Sequence, residues 1–463
     1  MPVIIALCTL LAVYKPLQAQ DTIRVHFDAF VERAIEHSAQ LEARQKQVAL
    51  AENRIREAQS LRVLPNLNLT TAHGFVPGVK SRNPDLSPGQ YYLDPDLEND
   101  WEDWAFFTQA EISGLQPIYT WGAISNAIKA ARSGADVARH EFHVQKESFK
   151  IQLFELYQSA ILVKELERLV SDAKSQLNQA ERELEKMREE GDPSLEEKDV
   201  FEFYIYKEEF LALELEVQQT ALFVQRAWNV VLSAGRDELF LPKESFLDPV
   251  PVHIQDITFY QSSAINNRHE LRGLSAAQEA ARYGVSIARS QYYPSMFMGL
   301  SAGIGYTPNR PRQTNPFIRN STNFQSVRAG IGFQQNLNFL QIRSNVQRSE
   351  IQLRQLRDYE DAAKDGIMLE IHDAYMDAKI AEARRSSKNN ALRISNEWLR
   401  TEQIDFDIGF GDIKNLVDAV KKKMELEFEV TQLTYDYNLK LANLYHQAGL
   451  KLQELITTAT NKD

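Results

Sequence analysis

The sequence predicts a mostly α protein with a small β part, built as a duplicated repeat. Three observations predict it. First, the segment AIEHSAQLEARQKQVALAENRIREAQSLRVLPNLNLTT, beginning at Ala34, returns as AINNRHELRGLSAAQEAARYGVSIARSQYYPSMFMGLSA from Ala264. Ala34, Leu41, Ala51 and Ala58 align with Ala264, Leu271, Ala281 and Ala288 at an offset of 230, and Pro65 aligns with Pro294 at 229. Solenoid units run roughly 20–50 residues, so this period marks a duplicated half-protein. Second, each copy passes from a helical pattern into segments that alternate with a period of two. Third, long proline-free stretches carry apolar residues at a mean spacing of about 3.5, the left-handed coiled-coil period.

Met1 to Gln20 reads as a secretory signal peptide: an apolar run from Val3 to Val13 precedes Leu17-Gln18-Ala19, a plausible cleavage site. Eleven apolar residues are too few to span about 30 Å of hydrocarbon as a helix. The single cysteine, Cys8, falls inside this segment, so the mature chain carries no disulfide or thiol chemistry. A net charge of -12 over 463 residues argues against nucleic acid, whose phosphates demand clustered Lys and Arg. A secreted protein without a transmembrane helix can still cross a membrane as a β-barrel.

The elements follow in order. A helix is expected from about Val25 to Ser60, ended by Pro65. Leu67, Leu69, Thr71, His73 and Phe75 then alternate with Asn66, Asn68, Thr70, Ala72 and Gly74. A loop of Pro, Gly and acids spans Pro77 to Asp103, and a return strand runs through Phe106 to Ser113. In the second copy, Met296, Met298, Leu300, Ala302, Ile304 and Tyr306 alternate with Phe297, Gly299, Ser301, Gly303 and Gly305, and Val327, Ala329, Ile331 and Phe333 with Arg328, Gly330, Gly332 and Gln334. One apolar and one polar face suits strands with lipid on one side and water on the other, which makes Met296, Met298, Leu300 and Ile331 lipid-facing candidates. An ordinary half-buried hairpin shows the same alternation. Trp101, Trp104, Tyr119 and Trp121 flank the first hairpin, as belts of Trp and Tyr mark membrane–water interfaces. Two isolated hairpins make no stable sheet alone, so identical strands from other copies are the simplest completion.

Long helices are expected over Gly122 to Glu190 and Ile342 to Ile408, each roughly 100 Å at 1.5 Å per residue. Helices half as long, Lys198 to Ala234 and Asp412 to Ala448, return from them, and Ile257 to Arg289 opens the second copy. The repeats are thus 21–250, with a hairpin over 65–117, and 251–450, with a hairpin over 294–339; residues 451–463 form a tail. Coiled-coil stripes alone equally describe a periplasmic coiled-coil scaffold or adaptor protein without channel activity. Such a scaffold has no use for two amphipathic hairpins, whereas a hollow helical tube continuing a β-barrel does.

Catalytic patterns are sparse. His140 and His143 are three residues apart without a neighbouring acid to complete a zinc set. Asp94, Asp96, Glu98 and Asp100 alternate as in a calcium loop, but Asn99 and Ala105 occupy the glycine and twelfth-position acid of an EF-hand. Phosphate-binding glycine loops and Gly-x-Ser-x-Gly are absent from the sequence. The expectation is no enzyme, no cofactor and no metal.

In order, and twice over, these features resemble the TolC-like outer-membrane efflux channel family across essentially the whole mature chain. Ala58 to Leu69 match the family's Ala-rich helix into Leu-Pro and a strand. Gln116, Pro117, Ile118, Tyr119 and Gly122 match its return into the long helix. The second copy reads Gln335, Asn336, Leu337, Asn338 and Phe339 there, without the proline. Gly409 and Leu416-Val417-Asp418-Ala419 match its helical turn, and Gly235 and Gly449 close equivalent helices. The resemblance implies long coiled-coil helices forming a periplasmic α-barrel continuous with a 12-stranded trimeric β-barrel, four strands from each chain of a homotrimer. It implies a passive exit channel of a tripartite efflux or type I secretion system in the bacterial outer membrane. Its partners would be a periplasmic adaptor (membrane fusion protein) and an inner-membrane RND or ABC transporter, with outer-membrane lipid around the barrel. It makes Asp418 and Asn415 periplasmic gate candidates. It also makes Gly191, Asp192, Gly409, Phe410, Gly411 and Asp412 tip and adaptor-contact candidates. The tyrosine and arginine with which some members lock the tip correspond to Phe406 and Gly411, so that lock is not expected here. A solvated helix face accounts equally well for Asp418.

Overall fold

The protein's structure, a computed structural model, describes residues 21–455 apart from 64, 192–195, 236–237, 313–316, 318–321, 409–410, 412 and 454. The proposed signal peptide lies outside the described residues. Chain order is β1 (Asp21–Val25), α1 (Phe27–Glu36), α2 (Ala39–Val63), β2 (Asn66–Lys80), a short 3-10 turn (Pro88–Leu93), β3 (Glu98–Tyr119), α3 (Ala123–Glu190), α4 (Glu197–Val231), β4 (Glu238–Pro242), α5 (Ile257–Asn267), α6 (His269–Ser290), β5 (Ser295–Tyr306), β6 (Phe324–Gln334), α7 (Phe339–Asp407) and α8 (Ile413–Gln447). The 68 and 69 residues of α3 and α7 follow from sequences without proline or an unfavourable β-branched run. No described helix is long and apolar enough to cross a membrane.

Two compact units divide the chain. One comprises residues up to 44, 142–271 and 363 onward; the other comprises 45–141 and 272–362.

In the first unit, Phe27 and Phe30 of α1 pack against Phe154 and Tyr157 of α3 and Trp228 of α4, with ring centroids 4.4–5.5 Å apart. Each aromatic contact adds about 0.5–1.5 kcal/mol beyond its buried area. The Tyr157 hydroxyl donates to the Val25 carbonyl (2.9 Å), which ties α3 to β1. Asn438 of α8, fully buried, donates to the Asp248 carbonyl (3.0 Å) and accepts from the Val250 amide (2.9 Å), so an irregular segment after β4 is fastened by one side chain. Farther along, Val200, Phe203, Phe210 and Val217 of α4 meet Val170, Ala173, Leu177 and Leu184 of α3 and Met424 of α8. The spacing of seven between Phe203, Phe210 and Val217 is a heptad seam.

Two expected helices are each broken, and at the same place. The helix expected over Val25 to Ser60 is β1, α1 and α2: His37 ends α1, and the Ser38 hydroxyl accepts the Leu41 amide (3.3 Å) to start α2. The helix expected over Ile257 to Arg289 stops at Arg268, whose extended backbone separates α5 from α6. His37–Ser38 and Asn267–Arg268 correspond at the 230-residue offset, so the duplication includes its breaks. Gly449 explains why the second break keeps a glycine beside it. Its φ is +66°, and a Cβ there would lie 3.1 Å from Asn267 Cβ and 3.3 Å from the Arg268 nitrogen. The parallel pair β1–β4, in register from Asp21 opposite Glu238 to Val25 opposite Pro242, was not legible, because five-residue strands carry almost no period.

The second unit holds a four-stranded antiparallel sheet in the order β2-β3-β5-β6. Its first hairpin is longer than expected: pairing continues through Gly78, Val79 and Lys80 opposite Asp100, Asn99 and Glu98, beyond a bulge at Pro77/Gly78, where the expected loop begins. The polar character of that extension hides it from an alternation test.

Candidate functional site: a two-faced sheet and a charged helical tip

The register makes the alternation of the four strands a single property of the sheet. Leu69, Ile112, Ala302 and Val327 form one cross-strand row, and Leu67, Gly114, Leu300 and Ala329 the next. Directly opposed residues share a face. Rows between them on the other face read Asn68, Ser113, Ser301, Arg328 and Thr70, Glu111, Gly303, Ser326. One face is therefore mainly apolar across all four strands, and it is open to solvent in the single chain: Val327 is 84% and Ile331 68% exposed. A soluble monomer does not leave so continuous an apolar face uncovered.

Of the lipid-facing candidates, Leu300 lies in mid-sheet, Met298 lies opposite Ile331 and Gln116, and Met296 lies opposite Phe333 and Tyr119. The sheet brings all four onto the apolar face but places Met296 at its end. The aromatic candidates form two pairs along β3. Trp101 and Trp104 have centroids 6.1 Å apart. Tyr119 and Trp121 are 5.1 Å apart at the other end, where Trp121 stacks on Tyr293 (4.7 Å) and donates from Nε1 to the Pro294 carbonyl (2.9 Å). Trp121 and Gly122 have φ of +51° and +83°, so the chain turns sharply from β3 into α3. From Trp104 to Tyr119 the strand runs roughly 50 Å at 3.4 Å per residue, or about 35–40 Å along the normal at a tilt of 35–45°. That spans an apolar band about 25 Å tall with room for both girdles.

Sequence reasoning missed what fills the polar face. Phe107 lies opposite Gly74, Phe324 opposite Gly305 and Phe297 opposite Gly332. A Cβ at those glycines would come within 2.6–2.8 Å of the facing ring. The three rings thus occupy the space over glycines of the neighbouring strand, a device that shields otherwise bare backbone. A phenylalanine directly across a hairpin from a glycine was the available signal.

At the helical tip of the first unit, Asp418 and Asn415 are both exposed on α8. Asp418 borders a cleft of about 200 Å³ with Asp199, Glu202, Tyr206, Lys414 and Lys421. Lys414, one turn before Asp418, forms an ion pair with Asp199 of α4 (3.2 Å), and Asp199 holds its ammonium above the ordinary lysine range, with a further push from Asp418. Asn415 does not line that cleft. Lys421 lies 4.6 Å from the centroid of the Tyr206 ring. Burial, with Glu425 and Glu209 nearby, pushes the Tyr206 phenol up to about 12, so the ring stays neutral.

Gly191 has φ +68° and ends α3 in the left-handed region. Gly411 sits where a Cβ would be 2.5 Å from the Phe406 backbone nitrogen, and its amide donates to the Asp405 carbonyl (2.8 Å), so the α7–α8 turn folds tightly on itself. Asp192, Gly409, Phe410 and Asp412 lie outside the described residues.

Among the described residues no cluster of three potential ligands forms a metal site. His143 stacks on His269 (4.7 Å) within the first unit. Three of the four alternating acids are engaged by neighbouring side chains: Asp94 by the Ser81 hydroxyl, Glu98 by Arg82 and Asp100 by Lys80 (3.6 Å).

Long helices carrying an open sheet with one apolar face define the outer-membrane channel fold. The chain has a TM-score of 0.71 to the channel CusC at 13% identity, covering 95% of this chain and 96% of that one. It has a TM-score of 0.67 to the outer membrane protein VceC of Vibrio cholerae at 17% identity, covering 91% and 96%. It has a TM-score of 0.68 to the open state of the MtrE outer membrane channel of Neisseria gonorrhoeae at 13% identity, covering 92% and 89%. No curated protein matches by sequence. Residues 261–450 match the model of the outer membrane efflux protein family. That match lies within the second copy, and the solved channels share the fold of nearly the whole chain.

Proposed function

We propose that the protein is a passive exit duct in which three copies close a 12-stranded barrel. The observation that carries this reading is the open sheet: among the described residues its edge strands β2 and β6 pair on one side only, while one face is mainly apolar. Unpaired edges within hydrocarbon would each cost several kcal/mol per backbone group, and closure by identical strands removes them. Phe201, Ile205, Leu215, Leu222 and Phe223 of α4 are exposed in the single chain and form a further surface for a second copy to cover. In this assembly residues 21–250 and 251–450 act as the two repeats, and residues 1–20 are removed on export. The duct serves a tripartite efflux or type I secretion system through a periplasmic adaptor and an inner-membrane RND or ABC transporter. Catalysis has no part in it.

Outer-membrane fractionation followed by unheated electrophoresis tests the assembly, and planar-bilayer recording tests conduction. The expected result is a heat-sensitive trimer in the outer membrane that forms ion-conducting pores. A monomeric soluble periplasmic pool would overturn it.

A further inference from the structure

A second cavity in the first unit, of about 450 Å³, opens between the end of α3, the start of α4, the end of α7 and the start of α8. Its volume lies within the 300–1,000 Å³ of sites that bury drug-sized molecules. Phe203, Tyr206 and Phe406 supply three aromatic rings, and Leu177, Leu416 and Val420 continue the apolar wall. Gln176, Gln179 and Gln403 add neutral polar groups, and the charged groups are one-sided in sign. Glu183 and Asp407 bring two carboxylates against the single ammonium of Lys421, for a lining charge of -1. Lys421 is itself drawn to the Tyr206 ring at 4.6 Å. Among the described residues, Asp407 has a long contact from Gln403 (3.4 Å), one turn earlier on α7.

We propose that this cavity is a binding site for an amphipathic organic cation, its hydrocarbon against Phe203, Leu177 and Val420 and its charge between the Phe406 ring and the carboxylates of Glu183 and Asp407. Aromatic faces and carboxylates both favour a cation, and a desolvated cation over an aromatic ring is held by the ring quadrupole. An anion of the same shape meets two like charges and is rejected. Because α3 and α4 form one wall and α7 and α8 the other, an occupant bridges the two helix pairs and stiffens the tip.

The test is binding to the full chain in lipid nanodiscs, with empty nanodiscs as background. The probes are tetraphenylphosphonium and its anionic counterpart tetraphenylborate. The expected result is saturable binding of one phosphonium per chain, at least tenfold tighter than the borate. Glu183→Gln with Asp407→Asn, both exposed positions, should reduce that preference at least fivefold while the melting temperature is unchanged. Val420→Trp should abolish binding by filling the cavity. Absence of saturable phosphonium binding would overturn the site, as would equal binding of both ions or indifference to the paired Gln and Asn variant. Since the readout is binding and not conductance, failure here leaves the channel reading intact.

Discussion

Phe297 lies directly across β5–β6 from Gly332, so close that a Cβ on the glycine would stand 2.6 Å from the ring's Cζ. The ring and the missing side chain are one device. Gly332→Val should therefore destabilise the assembled protein by about 1–3 kcal/mol, the usual cost of overpacking. In a Phe297→Ala background the same substitution should cost far less, because the obstructing ring is gone. The double-mutant cycle, read from the temperature at which the assembled form dissociates, isolates the coupling. Additive effects would show that the ring yields freely and that the contact specifies nothing.

The apolar face yields a graded expectation. Leu300→Arg, in mid-sheet, should cost about 2–4 kcal/mol and prevent recovery in the outer membrane, with Met298→Arg and Ile331→Arg close behind. Met296→Arg, beside Tyr119 at the aromatic end, should be the mildest, since the penalty falls to about 0–1 kcal/mol near the interface. Ser301 and Gly303 are poor controls for the polar face: Ser301 lies opposite Arg328, and a Cβ at Gly303 would press on Phe324 at 3.2 Å. Gly330 has open space around it, so Gly330→Arg is the matched control. Equal yield for Leu300→Arg and Gly330→Arg would end the barrel reading.

Acid sensitivity should map to His446. Burial and the neighbouring Arg268 guanidinium push its imidazole below the ordinary value of 6.5, against the attraction of Glu270, Glu147 and Glu370. The unfolded chain then takes up the proton first as pH falls. Stability is full above about 6.5 and declines below it, down to the depressed folded value. Glu270 is itself held below its usual range, against its own burial and chiefly by the Arg268 side chain, so its loss comes at lower pH, below about 4.5. Melting temperatures between pH 7.5 and 5.5 should fall for the natural chain and stay flatter for His446→Gln. Parallel curves would assign the loss elsewhere.

How much was legible depends on how many residues repeat a pattern. The stripe from Leu153 to Leu184 extends over many turns, and α3 and α7 come out within three residues of expectation. The breaks at Ser38 and Arg268 are single-residue events inside helical patterns, and only the duplication, compared copy against copy, could have exposed them. β1 and β4 pair across more than two hundred residues with five residues each, too short for any period. The two faces of the sheet were legible because alternation survives in every strand. The rings over Gly74, Gly305 and Gly332 were not, because they depend on register, which local alternation leaves open.

The tip carries the last expectation, and the structure alters it. Three copies of Asp418 around a narrow axis would form a ring of like charge that attracts cations and disfavours anions. Yet Lys414 lies one turn away on the same helix, so each carboxylate carries a partial counter-charge, weakened by the ion pair of Lys414 with Asp199. Asp418→Ala should lower cation selectivity and relieve block by multivalent cations in a planar bilayer. Asn415→Asp should raise both, because residues three apart share a helix face. Lys414→Ala should also raise both, and it separates two geometries that the aspartate variants alone confuse. If Asp418 faces the axis, removing its neighbour's charge strengthens the ring. If Asp418 faces only the cleft with Asp199 and Glu202, conductance and block stay unchanged in all three variants, and the gate must be sought among other residues of the tip.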